Sequence, residues 1–364
     1  MSRSCLKFLP MVMLALAVAG CSKSNEPAAP AAGASAGASA GPAPTATSES
    51  LAPDAIKEGA LVWYTSNTRP NATDIVQRFE AKYPGIKVEL FQAGGSQILS
   101  KVAAELTAGG LKADVVDYSD GAAIIGQAHD GLFARFANEK WNSIPAALKD
   151  PDGYWVSSGA FLTSTFAYNT NAVKEADAPK SWKDLLDPKW KGKVTMGSPN
   201  YAGTALATLA AWDQKLGSDY VDKLGANKLG VSQSFGDTEN AVVSGQSPIA
   251  IVLSFRAYTD QAGGKPIKVV TPTEGQVELI TTMGINAKAA HPKAARLFEN
   301  FIFSDETQQK LAQGHYFPAR TDLKYDVPGL PAVSSLALMT PDLKKTSDMA
   351  YVAKLKQQFE AATK

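Results

Sequence analysis

Thiols are almost absent from this chain: its 364 residues hold two cysteines, Cys5 and Cys21, both within the first 21 positions. Past that point no disulfide, thiolate metal site or cysteine nucleophile can be built. Histidine is nearly as scarce, with only His129, His291 and His315. His129 ends an Ala/Gly-rich helix, His291 sits in a turn before Pro292 and His315 follows Gly314 in a loop, so none is placed to activate a nucleophile. G-x-S-x-G, P-loop and G-x-G-x-x-G patterns are missing from every strand-to-helix turn. No Lys/Arg block interrupts a formal charge of +1, which removes the long-range attraction that nucleic-acid binding needs. After the first twenty residues no apolar run approaches membrane-spanning length, and no segment repeats. These absences argue against an enzyme and predict no cofactor, no resident metal and no nucleic-acid partner.

What is present begins with a leader. Residues 1–20 carry Arg3 and Lys7, an apolar run from Leu9 to Val18, and Ala19-Gly20 before Cys21; this reads as a secretory signal, too short to span a bilayer. The ending Leu16-Ala-Val-Ala-Gly-Cys resembles a bacterial lipoprotein lipobox. The resemblance implies cleavage before Cys21 and a lipid anchor on it. Losing Arg3 and Lys7 with the leader turns the charge of +1 into −1. Residues 21–53 are Ala, Gly, Ser and Pro with almost no large apolar side chain, a flexible tether that cannot bury enough surface to fold.

The rest alternates strand and helix. Leu61-Val-Trp-Tyr-Thr reads as a buried strand, Ile75, Val76, Phe79 and Tyr83 recur at helical spacing, and Ile86-Lys-Val-Glu-Leu alternates. Ile98, Leu99, Val102 and Leu106 make a second helical stripe before the strand Ala113-Asp-Val-Val-Asp. This βαβαβ order predicts a parallel-dominated sheet with helices on its faces, which binds ligands beyond the carboxyl ends of its strands. Polar turns stand at each of those ends: Thr65-Ser66-Asn67, Gly94-Gly95-Ser96 and Ser119-Asp120-Gly121.

Phe161 to Tyr168 reads as a strand that crosses out of this unit, and a second α/β unit runs on to about Val252. Leu279-Ile-Thr-Thr-Met reads as a strand of the return, followed by helices. The expected division is a first lobe over 54–164, a second over 165–268, and a return with C-terminal helices over 269–364. Two crossovers make a hinge.

Within the second unit, Lys193-Val-Thr-Met-Gly-Ser-Pro-Asn-Tyr-Ala-Gly-Thr predicts strand, tight turn and a helix starting near Ala202. The unpaired first amides of a helix and its dipole suit an anion. Asn200, Tyr201 and Thr204 add donors and Gly203 lets a ligand approach the backbone. The other reading is a capped surface helix.

The segment order over about 60–325 resembles the solute-binding proteins of ATP-driven bacterial uptake systems, in the branch that includes ferric-ion and phosphorylated-organic binders. The resemblance rests on Leu61-Val-Trp-Tyr-Thr-Ser, Tyr168-Asn-Thr-Asn, Ser181-Trp-Lys-Asp-Leu-Leu-Asp-Pro-Lys-Trp-Lys-Gly-Lys-Val, Val269-Val-Thr-Pro-Thr-Glu-Gly, His291-Pro-Lys-Ala-Ala-Arg-Leu-Phe and Phe317-Pro-Ala-Arg. It implies a two-lobed type II periplasmic binding fold with crossover hinge strands. It also implies a monomer on the periplasmic side of a membrane, with an ABC permease and its ATPase subunits as partners; a sensory ligand-binding module has the same lobes. Ferric binders of this branch carry adjacent tyrosines, and matching backward from Gly264-Lys-Pro puts Phe255-Arg256 there. Phe255 has no oxygen and Arg256 brings positive charge, so iron gives way to a small anionic organic ligand such as a phosphonate, phosphorylated compound or carboxylate. Arg256 is expected either at the head group, with Tyr258 nearby, or paired with Asp260. Glu239 and Asn240 are expected to take a ligand amine or hydroxyl, or to cap a helix.

Overall fold

The computed structural model describes residues 43–119 and 121–364. The leader, Cys21 with its expected lipid, the tether to residue 42 and Asp120 lie outside the described residues.

Helix α1 (Ser48–Glu58) opens the described chain, capped by Thr47, whose side chain accepts from the Ser50 amide. Its Leu51 and Ala55 are buried. Residues 48–53, read from composition as the end of the tether, are therefore helical: one leucine at the right spacing, with apolar surface to meet it, outweighs the poor composition around it.

Strand β1 (Ala60–Thr65), helix α2 (Arg69–Lys82), β2 (Lys87–Gln92), α3 (Gly95–Thr107), β3 (Val115–Tyr118) and α4 (Gly121–Gln127) then follow. β1 lies between β2 and β3 and is parallel to both, with Thr65 opposite Gln92 on one side and Asp117 on the other. The three strands thus end together, and their polar turns share one edge.

The chain leaves this sheet through β4 (Ala160–Asn169) and builds β5 (Val194–Gly197), α5 (Gly203–Lys215), α6 (Tyr220–Ala226), β6 (Gly230–Ser232), α7 (Phe235–Ser244), β7 (Ile249–Leu253), α8 (Ser254–Ala262), β8 (Ile267–Val270) and β9 (Gln276–Leu279). It returns as β10 (Thr282–Ile285), antiparallel to β3, and continues through α9 (Pro292–Ile302), α10 (Asp305–Gln313), β11 (Phe317–Pro318), β12 (Leu338–Met339), α11 (Leu343–Thr346) and α12 (Met349–Ala362).

The run Leu279–Met283, expected as one strand, is two. Leu279 pairs with Leu162 in the second sheet and Thr282 with Tyr118 in the first, so only Ile280 and Thr281 span the change of lobe. The second sheet keeps the chain past the boundary read at residue 268. It is also mixed, because only β5 with β6, β5 with β7 and β12 with β9 are parallel, while β4 is antiparallel to β7, β8, β9 and β11.

Each sheet has its own aromatic core. In the first, Trp63 meets Phe298 at 4.9 Å between ring centroids, and Phe79 meets Phe298 at 5.1 Å. In the second, Phe166, Trp182, Trp212 and Tyr220 follow one another edge-on at 5.2 Å steps. Trp182 is fully buried and its indole N–H donates to the Gly275 carbonyl at 2.8 Å. The Ser181–Val194 motif is thus built for packing: Glu274 accepts from the Trp182 and Lys183 amides, and Asp184 from those of Lys180 and Ser181.

Because Leu51 is 2% exposed, Leu51→Ala should cost about 2–5 kcal/mol of stability, the usual range for emptying a leucine-sized space. Urea unfolding of the two proteins measures it, and a difference under about 1 kcal/mol would mean that α1 is not part of the core.

Candidate ligand-binding site

The strand-end turns of the first sheet and the start of α5 in the second meet across a cavity of about 200 Å³. Ser66, Asn67, Gly94, Gly95 and Ser119 line it from the first lobe, and Tyr201, Gly203 and Thr204 from the second. This volume is smaller than a drug-sized pocket and suits a small solute.

Two helices point their N-termini here. The Ala205 and Leu206 amides already bond to the Ala202 carbonyl, which leaves the Gly203 and Thr204 amides without an acceptor among the described residues. At α3 the Gln97 and Ile98 amides bond to the Gly94 carbonyl, and Gly95 and Ser96 are left in the same position. One anion-favouring terminus therefore comes from each lobe. A Cβ on Gly95 would come within 2.8 Å of the Ser119 hydroxyl oxygen, so the Ser119 side chain would have to turn away to admit one.

Beneath the first-lobe turns lies Asp117, 2% exposed. The Thr65 hydroxyl donates to it at 2.7 Å and the Asn67 side-chain amide at 3.1 Å, while the Asn67 backbone N–H donates to Thr65 at 3.0 Å. Thr65 is fully buried and does not line the cavity; it supports Asn67. Burial pushes the Asp117 carboxyl up to about 7 despite the hydrogen bonds from Thr65 and Ser66 that favour its ionised form.

Several expected residues stand elsewhere. Ser96 is exposed on the first turn of α3 and is absent from the lining. Asn200 turns outward, its side-chain amide donating to Glu360 at 2.8 Å. Tyr258 is buried, accepts from Gln276 at 3.1 Å, and is absent from the lining. Arg256 also does not line the cavity: its Nε donates to Glu239, not to Asp260, and it borders a separate depression. Glu239 does not cap α7, because Ser234 and Asp237 cap each other.

The lining also includes residues that sequence reasoning missed: Thr68, Leu162, Leu253, Phe255 and Tyr316. Phe255 and Tyr316 stack at 4.1 Å between centroids with an 18° interplanar angle, forming an apolar wall. Phe255 was legible as the residue in the tyrosine position, but nothing local in sequence links Tyr316 to it. Among the described residues no charged side chain lines the cavity. The ligand atoms of His129, Asp150 and Asp152 gather within 4.8 Å of one another, and none of these three borders the cavity.

Comparison with known proteins completes the picture. A family model described as bacterial extracellular solute-binding protein matches residues 112–336. A putative 2-aminoethylphosphonate-binding periplasmic protein of Salmonella typhimurium is 26% identical over 283 residues, 74% of this chain and 78% of that one. Iron-bound HitA from Pseudomonas aeruginosa superposes with a TM-score of 0.73 at 23% identity, covering 82% of this chain and 99% of that one. AfuA from Actinobacillus pleuropneumoniae, with fructose-6-phosphate bound, gives 0.72 at 23% identity over 84% and 98%. The fold is that of type II periplasmic binding proteins.

The raised Asp117 carboxyl fixes the sign of one pH effect. The folded protein holds a proton there that the unfolded chain has lost above its ordinary value of 3.8, so this group lowers stability as pH rises from about 4 to about 7. Asp117→Asn should flatten that part of the profile. Thermal unfolding of both proteins from pH 4 to pH 8 tests this, and parallel profiles would remove Asp117 as the cause.

Proposed function

We propose, for a chain that belongs to the bacterial extracellular solute-binding protein family, that its cargo is a small organic anion carrying a phosphonate, phosphate or carboxylate head group. Members of this family are non-enzymatic binding components of ABC uptake transporters, and their partners are the solute and a membrane permease. The lipobox-like ending at Cys21 supports attachment to the membrane through a lipid.

The observation that carries the anion reading is the pair of helix N-termini, α3 and α5, that border one cavity from opposite lobes. Ser66, Asn67, Ser119 and Thr204 add neutral donors to the Gly95, Gly203 and Thr204 amides, which have no acceptor among the described residues. Several oriented donors hold a head group without a cation, and charge-assisted hydrogen bonds contribute about 1.5–3 kcal/mol each. Iron fits these residues less well: the lining offers the phenols of Tyr201 and Tyr316 but no carboxylate or imidazole among the described residues, and burial holds the Tyr316 phenol above its usual range, against ionisation. The Salmonella relative named for an aminophosphonate and the neighbour with a bound sugar phosphate agree with the anion reading; the iron-bound neighbour makes ferric ion the necessary control.

A ligand held by both lobes favours the closed arrangement only through contacts that it makes there and not in the open one. Ligand at a hundred times its dissociation constant should stabilise the protein by about 2.7 kcal/mol. Thermal shifts against alkylphosphonates, sugar phosphates, carboxylates and ferric salts, run beside Ser119→Ala/Thr204→Val, test the assignment. A phosphonate or phosphate response that weakens at least about tenfold in the double variant supports it; a ferric response alone, or an anion response that the variant leaves intact, overturns it.

A further inference from the structure

We propose that the C-terminal segment, residues 340–364, is a strap that travels with the second lobe and latches onto the first through Leu343, favouring the closed arrangement before any cargo arrives. The segment lies past residue 336, where the family match ends. It leaves the second sheet from β12, which pairs with β9, and runs through α11 and α12.

The strap is fastened to the second lobe along its length. Leu355 is 2% exposed and packs with Leu206 and Ala210 of α5, and Phe359 joins the core of the second sheet. The Asp342 amide donates to the Gln214 side chain at 2.7 Å, the Tyr351 hydroxyl donates to Asp213 at 2.7 Å, and Lys345 pairs with Asp213 at 3.5 Å. At the other end of α5, Asn200 is held by Glu360. α12 also lies so near α6 that a Cβ on Gly225 would stand 2.1 Å from the Ala362 carbonyl oxygen. A segment bound to both ends of α5 moves with α5.

Leu343 belongs to the other lobe's packing. It sits against the first-lobe cluster that includes Tyr64, Ile98, Tyr118 and Ile280, and it is the strap's contribution to that cluster among the described residues. Beside it a void of about 30 Å³ is bordered by Ser119, Ile280, Leu206 and Leu343 among others. Ser119 borders the cargo cavity as well, whereas Leu343 does not. Drawing α5 away from Ser119 to open the cavity therefore also draws Leu343 out of the first-lobe core and puts apolar surface into water, which opposes opening. Leu343 is thus a positioning residue: it raises the population of the arrangement that cargo needs, and apparent affinity follows that fraction.

Small-angle X-ray scattering of the full chain without ligand tests this, beside Leu343→Ser and Leu343→Met. It needs no cargo, so its outcome is independent of the anion reading. Leu343 is half-buried, and a partial leucine burial lost in Leu343→Ser should lower the ratio of closed to open forms roughly fivefold, read as a larger radius of gyration. Leu343→Met keeps the apolar volume and should match the unaltered protein. Equal radii for all three, a more compact Leu343→Ser, or a Leu343→Met expanded to the same extent overturns the latch. Should Leu343→Ser fail to fold, Leu343→Ala is read by the same criterion.

Discussion

The arrangement depends on β4. Its ten residues pair with four other strands, Ala160 and Phe161 with β11, Leu162 to Ser164 with β9, and Ser164 to Asn169 with β7 and β8. A strand buried on both faces cannot leave its polar side chains unpaired, and β4 contains three in succession. Thr163 donates to the Gln276 side-chain oxygen and accepts from the Ser254 hydroxyl, Ser164 meets Thr208 at 2.6 Å, and Thr165 donates to the Val270 carbonyl. These bonds fasten α5 at Thr208, in its second turn, and the start of α8 to the crossing strand. The helix that offers its N-terminus to the cavity is thus fixed to the element that joins the lobes.

On the anion reading, that linkage would let the cavity work although no charged side chain lines it among the described residues. A lysine or arginine at its surface would attract an anion to one lobe alone, whichever conformation the lobes held. Two helix termini, one on each lobe, are weak singly because the dipole effect falls off within a turn. They act together only where both reach the same group, and that is the differential contact a closing protein needs.

Much of this was legible in the sequence, for local reasons. The start of α5 was readable because a β-branched run, a Gly-Ser-Pro-Asn turn and an Ala/Leu/Trp stripe are all short-range signals, and the helix begins at Gly203 with Ala202 as its cap. The three strand-end turns were readable for the same reason, and Ser66, Asn67, Gly95 and Ser119 do share a cavity. Tertiary pairings were not readable. Arg256 looked like an anion ligand because its partner Glu239 lies seventeen residues away on another helix. Tyr258 looked available because Gln276, which binds it, comes from β9. Tyr316 was invisible because its role is to stack on a residue some sixty positions earlier.

Asp117 sets the remaining constraint. Its carboxyl must accept from Thr65 and Asn67 to shape the first-lobe turn, yet it lies under a site proposed for an anion, where a second negative charge is unwelcome. Burial resolves the conflict in part by raising the carboxyl to about 7, so that near neutrality it carries only part of a charge. An anion arriving above it raises the carboxyl further and draws a proton in, because two like charges in a poorly solvated space favour neutralising one of them. On the anion reading, the same carboxyl that orders the donors would make capture of an anion of fixed charge stronger as pH falls through 7. A ferric ion in the cavity would do the opposite at Asp117, expelling the proton, so for a ligand that does not itself titrate near pH 7 the direction of proton exchange on binding separates the two kinds of cargo.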